Sequence, residues 1–154
     1  MNERYCFRGK RADNGEWSYG AYLEQYHSQR SGRIDAIFCS DETKTHRYAA
    51  GCGTVGQCAG LRDKNGTLIF EGDILRFYEH YTEPDGELDD ADSRDIQPVV
   101  WCGWRDYPAF DLADHDFDSN GLSALFGAGY SVEVIGNVHD DPGLLPQWRG
   151  RDKP

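Results

Sequence analysis

Residues 60–75 read GLRDKNGTLIFEGDIL. A turn sequence, Asp63-Lys64-Asn65-Gly66, and a lone glycine, Gly72, bracket a short apolar run. A run this brief, cut off by residues that accept positive φ, is too short for a helix and long enough for a strand. Beyond Gly72, Ile74-Leu75-Arg76-Phe77-Tyr78 starts another. The same grammar appears earlier. RYCFRGKR (4–11) alternates, with Tyr5 and Phe7 opposed to Arg4, Cys6 and Arg8. Asp13-Asn14-Gly15 then turns the chain into Glu16–Leu23, so residues 4–23 read as a hairpin.

Further short strands are expected at 34–39, 99–102, 110–112 and 130–138, with one short helix at 122–126. Eighteen glycines and 13% aromatic residues fit this pattern, whereas 38% hydrophobic residues is sparse for a helical bundle. The expected fold is mainly β: a small, strongly curved antiparallel sheet, barrel or sandwich with at most one or two short helices. A length of 154 residues suits one domain, placed here at 1–145, with 146–154 as a tail. Residues 79–98, EHYTEPDGELDDADSRDIQP, are expected as a mobile acidic loop or the tip of a long hairpin.

Net charge is −11, which disfavours generic coating of nucleic acid. It favours solubility or an acidic surface aimed at a basic protein. The five cysteines are odd in number and lack any C-x-x-C, so reduced thiols are expected. Asn2-Glu3-Arg4 runs straight into a strand pattern, so no leader is expected, and no apolar run reaches the ~18 residues of a membrane span.

Four constellations carry chemistry. Glu71 and Asp73 stand at i and i+2, on one face of a strand, and two close carboxylates can work as an acid/base pair in a small hydrolase. Gly72 between them argues for a kink that splays them and gives them a structural role. Asp116, Asp118 and Asn120 fit the first half of a calcium loop, D-x-D-x-N-G, which would make a calcium-binding β module. Gly127 occupies the position of the required bidentate glutamate, so no metal is expected. His27, His46, His80, His115 and His139 are too scattered for zinc, and no cofactor motif occurs in GCGTVGQCAG (51–60). Arg8, Trp17 and Tyr19 on the first hairpin combine cation and aromatic, suited to a planar or anionic ligand. Arg62, Glu71 and Asp73 join them as candidate ligand-binding residues.

The order of segments adds a resemblance. Phe7-Arg8-Gly9-Lys10, Asn14-Gly15-Glu16-Trp17 and Tyr19-Gly20 are followed by Thr54-Val55-Gly56-Gln57 and Gly60-Leu61. Then come Ile69-Phe70-Glu71-Gly72-Asp73-Ile74, Val99-Val100-Trp101 and Glu133-Val134-Ile135-Gly136-Asn137-Val138. This series resembles the YopX family of phage and prophage proteins over roughly residues 4–145. The resemblance implies a mainly β homo-oligomer of phage or prophage origin in the bacterial host cytoplasm, and supplies no catalytic residues. Together these readings give the expectation of a non-enzymatic accessory protein that self-associates and binds a host protein or a small nucleotide-like ligand.

Overall fold

The computed structural model describes residues 6–27, 32–40, 44–51, 53–78, 95–103, 108–113 and 119–145. The chain is mainly β, with two antiparallel sheets that do not close into a barrel. It clusters into two compact units. Met1–Leu61 and Leu68–Glu71 form the first; Arg62–Thr67 and Gly72–Pro154 form the second.

The first unit holds six strands: β1 (Phe7–Lys10), β2 (Trp17–His27), β3 (Gly32–Ser40), β4 (Thr45–Ala49), β5 (Gly56–Arg62) and β6 (Leu68–Phe70). Their order is β4-β3-β2-β1-β5-β6. The expected hairpin forms, with Phe7 opposite Gly20 and Lys10 opposite Trp17. Its turn differs in detail from the expectation, since only Gly15 takes positive φ and Asn14 does not. The Asn14 side chain instead accepts the Glu16 N–H at 3.0 Å. Strand β2 is long because it serves two partners, pairing β1 through 17–20 and β3 through 21–27. The changeover falls at Gly20, where a Cβ would lie 1.9 Å from the Phe38 carbonyl oxygen. Only glycine permits that approach. β4 had no expected counterpart. It pairs β3, and beyond it Ala50 bridges Arg11, so the sheet curls back toward the end of β1. Phe7 packs on Tyr22, with ring centroids 5.4 Å apart, and Ile37, Cys58, Ile69 and Phe70 are buried.

In the second unit β7 (Asp73–Tyr78), β8 (Asp95–Cys102), β9 (Ala109–Leu112) and β10 (Ser131–Asn137) form a sheet in the order β10-β7-β8-β9. Pairing of Phe77 with Asp95 makes β7 and β8 antiparallel neighbours. The last residues of the acidic segment, Asp95–Pro98, therefore belong to β8; residues 79–94 lie outside the described residues. Ile74, Leu75, Val99, Leu112 and Val132 bury the sheet's apolar side chains.

The expected helix is α1, Gly121–Ala128. Asn120 caps its start, accepting the Ser123 N–H at 2.7 Å, and Gly129 ends it at φ 76°. Leu122 and Leu125 are its buried residues along with Gly121. The carboxylate of buried Asp111 accepts the N–H groups of Leu112 at 2.8 Å and Leu122 at 3.3 Å, which ties β9 to the helix start.

The turn before β6 contributes to the second unit's edge. The Lys64 N–H donates to the Val132 carbonyl at 2.9 Å. The Asp63 carboxylate accepts N–H groups from Asn65 and Thr67 at 2.8 Å and from Val134 at 3.1 Å. Val134 is also where the β7–β10 register shifts before Gly136. Among the described residues, no helix is long and apolar enough to cross a membrane.

Candidate functional site

Cross-strand pairing in the first unit sets Arg8 opposite Tyr19 and Lys10 opposite Trp17. Residues opposed in this way share a face of the sheet. The Arg8 guanidinium lies 4.6 Å from the Trp17 ring centre and 4.9 Å from that of Phe70. It donates to the Glu71 carbonyl at 3.4 Å. Arg8 is only 7% exposed, so its planar cation is fixed inside an aromatic sandwich. Tyr19 packs edge-on against Phe70, with centroids 5.7 Å apart, and stays 50% exposed. Lys10 brings its ammonium 5.8 Å from the Trp17 ring. The result is a rigid cation–aromatic base with one exposed phenol on top.

The cationic character extends across the sheet. Phe38 of β3 pairs both with Ala21 of β2 and with Arg47 of β4, so exposed Arg47 joins the same face. At the β4 end the Arg11 guanidinium stacks 4.0 Å over Tyr48, and His46 stacks on Tyr48 at 6.1 Å. Arg11 also grips Asp13 with two bonds of 3.0 and 2.6 Å, which hold the Asp13 carboxyl below the ordinary carboxylate range.

Of the sequence-expected ligand-binding residues, Arg8, Trp17, Tyr19 and Glu71 meet in the first unit. Glu71 takes part there through its backbone carbonyl. Arg62, the last residue of β5 and the one at which the chain passes into the second unit, is exposed and donates to the Gly66 carbonyl. Asp73 opens β7 at 1% exposure, paired in register with Asn137. Gly72 has φ 84°, the kink its place in the sequence implied. Of the weak calcium candidates, Asn120 is the helix cap described above; Asp116 and Asp118 lie outside the described residues. Among the described residues, no group of three or more His, Cys, Asp or Glu side chains could hold a metal ion.

Two participants escaped the sequence reading. Phe70 reaches Arg8 only through the pairing of distant strands, which leaves no local signal. Asp63 had one: Asp-x-Asn before glycine is a turn in which the aspartate bonds the backbone ahead of it. Burial would push the Asp63 carboxyl up, but the N–H groups of Val134, Thr67 and Asn65 outweigh it and hold it below its ordinary range. Nearby, Glu133 is also held low by hydrogen bonds from Arg76 at 2.7 Å and Lys64 at 3.0 Å.

Charge divides unevenly between the units. The first unit carries eight acidic and eight basic residues, and the second carries nineteen and eight. The entire net charge of −11 thus belongs to the second unit.

Residues 6–146 match the family described as YopX protein. No curated protein matches the chain. Among solved structures, the chain is similar to protein EF1440 from Enterococcus faecalis. Identity is 24%, the match covers 90% of this chain and 96% of that one, and the TM-score is 0.48. A family match that spans the described residues almost from end to end settles kinship: the chain belongs to the YopX family.

Proposed function

We propose that this is a phage- or prophage-encoded accessory protein that acts in the bacterial host cytoplasm by binding rather than by catalysis. It self-associates and docks on a basic host protein. The observation that carries this reading is the segregation of charge: nineteen acidic against eight basic residues in the second unit, beside a neutral first unit. A concentrated field of one sign steers an oppositely charged partner and speeds its association. Capture from host lysate, followed by mass spectrometry, tests it. Enrichment of basic proteins that elute as salt is raised is the expected result. A captured set with no basic bias, or one indifferent to salt, overturns it. Sedimentation of the purified chain tests self-association.

A second reading is favoured by the exposed Tyr19 over its fixed cation–aromatic base. In it, the host component is a small nucleotide-like ligand held on the first unit.

A further inference from the structure

We infer that the face built by β1 and β2 is a nucleotide site, in which a base stacks on Tyr19 and phosphate is held by Lys10, with Arg47 on the opposite flank. The inference rests on the second reading above and assigns its parts.

Tyr19 supplies the platform. It is half exposed, yet its ring is braced edge-on by Phe70. A braced aromatic gives up little freedom when a planar group stacks on it, and every nucleobase has such a face. Arg8 is a positioning residue. Its guanidinium is enclosed by Trp17 and Phe70 and bonded to the Glu71 carbonyl, so it stiffens the platform from beneath. The cations that a phosphate can reach flank the platform. Lys10 lies against Trp17, two cross-strand pairs along from Tyr19–Arg8 and next to it on the same face. Arg47 is exposed in the row through Phe38 and Ala21, two strands over and two residues along β2 from Tyr19, roughly 12 Å away along the sheet. A base with its sugar and phosphate spans a comparable distance.

Charge selects a small ligand over a polymer. The first unit is neutral overall and presents Lys10 and Arg47 on this face, so it attracts phosphate locally. Screening confines that attraction to about 8 Å at physiological ionic strength. A polyanion is repelled by a chain of net charge −11 more strongly than a single nucleotide is.

Calorimetry on the full chain tests the inference, with adenosine and guanosine monophosphates and cyclic diguanylate as probes. Adenosine, guanosine, inorganic phosphate and a short oligothymidylate are the controls. At least one nucleotide should bind, with its nucleoside and free phosphate weaker by about tenfold or more. Tyr19→Ala should weaken that nucleotide by about tenfold, while Tyr19→Phe, which keeps the ring, should retain it. Lys10→Gln should weaken it and flatten its salt dependence. Circular dichroism on each variant separates lost binding from lost folding. Absence of heat from every nucleotide at millimolar concentration overturns the inference. So does unchanged binding by folded Tyr19→Ala, or tighter binding of the oligothymidylate than of any nucleotide. Lysate capture by Tyr19→Ala tells this apart from the docking reading. If basic proteins are still captured while no nucleotide binds, only the nucleotide site fails.

Discussion

The Asp63 carboxylate accepts the backbone N–H of Val134 at 3.1 Å, across 71 positions of sequence. The same carboxylate closes its own turn on Asn65 and Thr67. Replacing it with alanine leaves three backbone donors without their acceptor in a place that is 6% exposed. Asp63→Ala should lower stability by about 2–4 kcal/mol, read from urea denaturation. Asp63→Asn keeps one acceptor oxygen and should cost less.

Acid should expose the same residue. The Asp63 carboxyl is held below its ordinary range in the folded chain. Its contribution is therefore complete above the ordinary carboxylate pKa and is lost as pH falls through the lower, folded value. Glu133, bonded to Arg76 and Lys64, and Asp13, bonded to Arg11, act in the same direction at the surface. The urea midpoint should hold from neutrality to about pH 5 and fall below about pH 4. Asp63→Asn should make that fall shallower. An unchanged acid limb would show that Asp63 is not among its causes.

Two glycines should respond to the same substitution for different reasons. At Gly15 a Cβ meets nothing within 4 Å, and only the φ of 74° opposes it. Gly15→Ala should cost about 1 kcal/mol. At Gly20 the obstacle is the Phe38 carbonyl at 1.9 Å, which is backbone and cannot swing aside. Gly20→Ala should separate β2 from β3 and cost more than about 3 kcal/mol, with loss of amide protection at 21–27. Equal costs at the two positions would show that the close approach does not matter.

Glu71 and Asp73 should part company under mutation. Glu71 serves Arg8 through its carbonyl, so Glu71→Gln should shift stability by less than about 0.5 kcal/mol. Asp73 is 1% exposed, and Asp73→Ala should cost about 2 kcal/mol or more. If instead Glu71→Gln with Asp73→Asn gives a folded protein without biological activity, the hydrolase alternative returns.

Local chemistry explains what could be read in advance. Asn14-Gly15, Asn65-Gly66 and Gly72 marked real reversals because positive φ is a property of single residues. SVEVIGN showed its strand by its own composition. β4 did not: THRYA is polar and short, and it becomes a strand through pairing with β3. The candidate site was half legible for the same reason. The hairpin alone put Arg8 near Trp17 and Tyr19, while Phe70 arrives from the far end of the unit's sequence. Composition also hid the charge segregation, because a total of −11 says nothing about where the charges gather.

The contacts of Asp63 and Lys64 with β10 have a meaning beyond stability. Lys64 pairs with the Val132 carbonyl as a neighbouring strand would, and the Asp63 carboxylate takes the Val134 N–H that such a strand would take. Together they occupy part of the outer margin of β10, an apolar, β-prone segment. An open margin of that kind recruits strands from other molecules and seeds aggregates. The turn thus works as a gatekeeper: it ends the second sheet at β10, using one carboxylate where another protein would spend a whole strand.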